Sequence, residues 1–164
     1  MKLSVLSVLF LATTLLAQAP SSPATQPADF QVGEAREQTL AGFTFCYVSG
    51  KGSVATVAET IGKLMPKWEK AIKDGAVRPA GHVVFIYRGT LEDFTLEIGS
   101  AVADGTKAPA DLQVRKVPPF HCMSALYSGS VPNLGQAYQK LMPEVYERYQ
   151  PTAEWREGYL YWEG

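Results

Sequence analysis

Lys63-Leu64-Met65-Pro66 recurs unchanged as Lys140-Leu141-Met142-Pro143. The same offset carries Gly52-Ser53-Val54 onto Gly129-Ser130-Val131, and Phe43 onto Phe120. Three matches at one offset point to a repeated unit, which has to be read before any other architecture is argued. Two copies are too few to stack as a solenoid. The repeat reads as a duplicated half-domain, with halves at about 30–107 and 108–164.

Working outward from that tetrapeptide, both halves follow one course. Val57, Ala58, Ile61, Leu64, Met65, Trp68, Ala71 and Ile72 keep helical spacing. Ser53 can cap this helix and Gly75 can end it. Pro66 removes one helix hydrogen bond, which predicts a kink or a restart there. Residues 43–48 (FTFCYV) precede the helix as a β-rich run; 82–88 (HVVFIYR) and 94–102 (FTLEIGSAV) follow it. In the second half, 112–117 and 121–127 read as strands around Pro118-Pro119. Leu134, Ala137, Tyr138, Leu141, Met142, Val145 and Tyr149 form the helical stripe, and 158–162 (GYLYW) the closing strand. A β-α-β-β unit repeated in this way, with an extra strand at 31–38, predicts an α+β domain: antiparallel sheet with helices packed on one face. The repeat also calls for a second-half counterpart of strand 94–102. None follows 158–162, so either another segment, with 31–38 the candidate, fills that edge or the natural chain is truncated.

The first residues read as an address. Met1-Lys2 gives a positive start, Leu3 to Leu16 carries no charge, and Ala17-Gln18-Ala19 places small residues where a signal peptidase reads. The apolar run is short of the roughly 20 residues of a spanning helix. Residues 1–19 are therefore expected to be a signal peptide, and the chain to be exported, periplasmic or secreted, with no membrane attachment after cleavage. A buried N-terminal helix or an uncleaved anchor is the alternative. Residues 20–29, containing PSSPATQP, read as a disordered linker, and 30–164 as the folded domain.

Composition narrows the partners. With 164 residues, 46% of them hydrophobic, the chain has the make-up of one folded domain rather than a disordered one. Fifteen Lys+Arg against 16 Asp+Glu leave a net charge of -1, which argues against nucleic acid and polybasic membrane binding. No CxxC, HExxH, GxGxxG, GKS/T or GxSxG motif occurs, and His82 and His121 lie singly in predicted strands. Neither a metal nor a cofactor is implied. Under the repeat, Cys46 and Cys122 fall one position apart and so on opposite strand faces, which favours two buried free thiols over a disulfide.

Glu157 carries the chemistry. Aligning Pro79 with Pro151 and Tyr87 with Tyr159 sets Glu157 opposite Phe85. Strand alternation then puts Trp155, Glu157, Tyr159 and Tyr161 on one face, an acid amid three aromatics. Such a carboxylate can attract a cationic or hydroxyl-bearing ligand, and partial burial would raise its pKa toward the range of a general acid or base. The alternative is a solvated face on which Glu157 pairs with an Arg or Lys.

The β-α-β-β repeat, GHVVFIY (81–87) with the later FTLEIGSAV (94–102), and the closing WREGYL (155–160) together resemble the GyrI-like, or AraC-type effector-binding, small-molecule-binding family. Ala101 stands where the family's "acid, Gly, Pro-Val" strand has Pro. The resemblance implies a pseudo-twofold ligand cleft between the halves, faced by Glu157, with Tyr87, Tyr159, Trp155 and Tyr127 as walls. It implies a binding module for a small apolar or cationic organic ligand. A small-molecule hydrolase with Glu157 as general base is the second reading. Haem or tetrapyrrole binding, which lacks a helical His here, is the third.

Overall fold

A computed structural model describes residues 30–109, 111–130, 133–148 and 154–160, together with the backbone of 3–8. At its centre, β5 (Val83–Gly89) and β9 (Glu154–Tyr159) pair antiparallel, with Phe85 opposite Glu157, Tyr87 opposite Trp155 and Val83 opposite Tyr159. β6 (Phe94–Val102) lies between β5 and β4 (Phe43–Gly52), and β7 (Gln113–Val117) pairs with the far side of β4. On the other side of β9 come β1 (Leu3–Val8) and β8 (Phe120–Gly129), both antiparallel to their neighbours. β2 (Gln31–Val32) and β3 (Arg36–Leu40) pair with the outer side of β8.

Two helices cover one face. α1 (Val57–Lys73) packs on β4 and β6, and α2 (Leu134–Arg148) on β8 and β2. Leu64, Met65 and Trp68 of α1 and Ala137, Leu141 and Val145 of α2 join Val48, Phe85, Leu96, Ile98, Met123 and Tyr127 of the sheet in one core. Each large side chain buried there stabilises the fold by roughly 1.5–3 kcal/mol. The architecture is α+β with both helices on one face of antiparallel sheet, as the alternation of runs predicts.

α1 does not stop at Pro66. The buried Leu64, Met65 and Trp68 around it hold the helix on the sheet despite the lost hydrogen bond. Its end is set by Gly75, whose φ of 71° is the left-handed conformation glycine adopts freely. Gly75 N–H donates to Ile72 O and Ala76 N–H to Ala71 O, both at 2.9 Å, a Schellman closure. Ser53 starts the helical segment through a single 3₁₀ turn at Val54–Thr56, with its N–H donating to Thr56 Oγ1 at 3.0 Å.

Residues 31–38, the candidate for the place beside the closing strand, do not fill it. Leu3–Val8 occupies it, between β8 and β9, while 31–40 takes the outer side of β8. The composition explains the difference. A place flanked on both sides suits a near-continuous apolar run such as LSVLSV, whereas the polar REQTL suits an edge. Residues 9–29, with the expected cleavage site and linker, lie outside the described residues, as do Tyr149 and 161–164.

β3 precedes β4 yet binds β8, and β7 precedes β8 yet binds β4. Their links therefore cross on the face away from the helices and touch. A Cβ on Gly42 would come within 2.7 Å of Val117 O and 3.1 Å of Pro119 Cδ, so only glycine fits this crossing.

Candidate functional site

Cross-strand register determines which side chains share a face. From the pairing, Val83, Phe85, Tyr87, Trp155, Glu157 and Tyr159 all point to the helix side. Over them, between α1 and α2, lies a cavity of about 620 Å³. Glu157, Tyr87, Tyr159, Trp155 and Phe94 contribute from the sheet, Val57 and Ile61 from α1, and Leu134, Tyr138 and Met142 from α2. It is mostly apolar, with one acid.

Glu157 is 4% exposed and receives three phenol hydrogen bonds. Tyr159 donates to Oε2 at 2.7 Å, Tyr87 to Oε2 at 3.1 Å, and Tyr138 to Oε1. Burial pushes the carboxyl pKa up, and the hydrogen bonds from Tyr138, Tyr159 and Tyr87 oppose it. Burial and the neighbouring carboxylate push the Tyr87 and Tyr159 phenols well up, so both remain donors. An ionised carboxylate has about four acceptor positions, so three donors leave about one for a ligand.

The aromatic wall is ordered. Tyr87 and Trp155 stack with centroids 5.0 Å apart and ring planes 4° from parallel. Phe94 meets both edge-on, at 5.3 Å and 5.8 Å. Phe85 packs against Tyr159 at 4.6 Å. A cation over such faces is attracted by the ring quadrupoles as well as by the carboxylate.

Of the residues singled out from sequence, Glu157, Tyr159, Tyr87 and Trp155 come together here. Tyr127 does not reach this cavity. It is buried against Phe30, and its hydroxyl donates to Ser130 O at 2.6 Å. Two contributors were not legible beforehand. Tyr138 reads as one more apolar position in a helical stripe, and only the docking of α2 turns its hydroxyl onto Glu157. Phe94 reads as the start of a strand.

The reverse face carries a second buried acid. Glu97, 1% exposed, accepts from Arg115 Nη2 at 2.6 Å, from Arg115 Nε at 3.2 Å, and from Arg88. Arg115 also lies near Phe45 and Tyr47, 5.9 Å and 5.7 Å from their ring centroids. Cys46 and Cys122 are both buried and unbridged, and burial raises the Cys122 thiol to about 11. Among the described residues no group of three or more His, Cys, Asp or Glu could hold a metal ion.

No protein-family profile and no curated protein matches the chain by sequence. Solved structures are similar in the course of the chain. One is an integron cassette protein from the mobile metagenome of Vibrio cholerae: 12% identity, TM-score 0.49, covering 80% of this chain and 98% of that one. A second, from Staphylococcus aureus MU50 and assigned to bacterial transcription regulation, has 12% identity and TM-score 0.44, over 78% and 97%. A third, SAV2435 bound to tetraphenylphosphonium, has 14% identity and TM-score 0.40, over 77% and 92%.

Proposed function

We propose that the domain binds a small organic cation with apolar or aromatic substituents in the cleft between α1 and α2. One observation carries this reading. Glu157 is a buried carboxylate held by three tyrosine hydroxyls, with no arginine, lysine or histidine among its bonded partners within the described residues. Phenols stabilise the anion but do not neutralise it, and a buried uncompensated charge is costly. A ligand cation neutralises it, while Tyr87, Trp155 and Phe94 supply ring faces and edges. The sequence resemblance to GyrI-like domains supports the same reading.

Rhodamine 6G and fluorescein share an aromatic core and differ in charge. Titration of the full chain with each, followed by fluorescence anisotropy, tests the proposal. Rhodamine 6G is expected to bind and fluorescein not to bind. Equal affinity for both would remove Glu157 from the recognition. Hydrolysis with Glu157 as general base would show itself differently: Glu157→Gln would abolish turnover and leave substrate affinity nearly unchanged.

We further propose export, on the N-terminal pattern. Cleavage after Ala19 would remove β1 and leave β8 and β9 with open facing edges in the mature domain. The mass of the chain recovered outside the cytoplasm tests the proposal, with loss of residues 1–19 expected and an intact Met1–Ala19 segment, retained as β1, counting against it.

A further inference from the structure

On the face opposite the Glu157 cleft lies a second cavity, of about 280 Å³. One side is the β3–β4 link at Leu40–Phe43, and the other is the sheet, through Val84, Ala101 and Gly158. Gly81 keeps one corner open, since a Cβ there would meet only Ala101 Cβ, at 3.8 Å. The lining is apolar apart from Arg156, the exposed His82 and Glu157, whose side chain is bonded on the other face.

Arg156 is the unusual group. Its side chain is 5% exposed. Nε and Nη2 both donate to Glu154 Oε1, at 2.8 Å and 2.6 Å, and the guanidinium carbon sits 3.9 Å from the centroid of the Phe120 ring. Nη1, on the edge away from Glu154, is buried without a hydrogen-bond partner. A guanidinium cannot shed its proton, so this donor cannot be relieved by titration. An orphaned buried donor costs roughly 1–3 kcal/mol, more on a charged group, and calls for an explanation in a bound water, ion or ligand.

We propose that this cavity is a second binding site, for a small organic carboxylate. Its carboxylate takes the free Nη1 of Arg156, which a small turn of the guanidinium brings from its buried position to the cavity, and its apolar body lies against Leu40, Phe43, Val84 and Ala101. Glu154 already pairs with Arg156, so the ligand adds its charge to a formally neutral pair and is held by the spare donor rather than by net charge; a singly charged anion is therefore tolerated and a phosphate dianion is not. The apolar walls favour a ligand with a hydrocarbon or aromatic body over a bare inorganic anion. Because Arg156 and Glu157 are consecutive on β9, the strand serves an anion on one face and a cation on the other. The site does not depend on the reading of the Glu157 cleft.

Sodium benzoate is the probe, titrated into the full chain and followed by the backbone amide resonances. The expected result is saturable shifts at Gly81, Val84, Ala101 and Gly158. Ala101→Leu fills the cavity without touching Arg156, and is expected to weaken benzoate at least about tenfold while leaving rhodamine 6G affinity unchanged. Arg156→Lys keeps the charge and loses the planar fork, with a loss of at least about fivefold expected. Should that variant fail to fold, Ala101→Leu decides alone. No saturable shift in the millimolar range, as for a cavity holding only water, overturns the proposal. So does benzoate binding that Ala101→Leu leaves intact.

Discussion

Glu97 and Glu157 are two buried carboxylates on opposite faces of one sheet, and they are satisfied in opposite ways. Glu97 is gripped by Arg88 and Arg115, two cations for one anion. Glu157 is held by three phenols that donate hydrogen bonds and carry no charge. Full compensation makes a structural fixture, because nothing a ligand brings can improve on two guanidinium groups. Hydrogen bonding without compensation makes a receptive site, because the missing charge is the ligand's to supply. The difference is one of neighbours: β5 and β7 bring arginines to one face, while β5, β9 and α2 bring tyrosines to the other.

The comparison can be broken at several points. The largest effect is expected at Glu97. Glu97→Gln should cost about 3 kcal/mol in urea unfolding, at the low end for a broken buried pair because Arg88 and Arg115 keep some access to water. Rhodamine 6G affinity should stay nearly unchanged. A variant of full stability with lost affinity would reverse the two roles.

Glu157→Gln should do the opposite, weakening rhodamine 6G at least about tenfold, or about 1.4 kcal/mol, with little loss of stability. Marked destabilisation with affinity retained would make Glu157 a fixture like Glu97.

pH sharpens the contrast through the raised pKa of Glu157. The folded state holds that proton more tightly than the unfolded chain does, so its contribution to stability is fully present below the unfolded value of about 4.5 and is lost as pH rises through the raised one. Wild type should therefore lose stability relative to Glu157→Gln across that window, as read by thermal unfolding. Cation affinity should rise over the same window as the carboxyl ionises. Parallel trends in the two quantities would contradict the linkage.

The smallest effect is expected at Tyr138. Tyr138→Phe removes one of the donors that lower the Glu157 pKa, so the pH midpoint of rhodamine 6G binding should move up slightly. A midpoint moved down would mean that Tyr138 does not donate to the ionised acid.

Periodicity made most of the elements legible. The stripe from Val57 to Ile72 became α1, and the run FTLEIGSAV became β6 without change of boundary. Aligning Tyr159 with Tyr87 made Glu157 the counterpart of Phe85 in the other closing strand; that these two strands pair with each other, antiparallel and with Glu157 beside Phe85, was not read from the alignment. What stayed hidden was long-range. Leu3–Val8 carries a signal-peptide pattern, and nothing local tells such a run that it lies between β8 and β9. Arg156 reads as a polar strand residue until Phe120 and Glu154 are seen around it.

The sequence by itself determined both helices, the strands other than β1 (with β9 lying at Glu154–Tyr159 rather than at 158–162), and which residues of β9 face the same way, because 3.6 and 2.0 periodicities are properties of neighbouring positions. It thereby picked out Glu157 among aromatics. Only the tertiary structure decided that, among the described residues, three tyrosines and no arginine bond that acid, that two arginines bond Glu97, and that Arg156 keeps an unpaired edge. Compensation of a buried charge depends on which elements are brought together, and those partners lie tens of residues away along the chain.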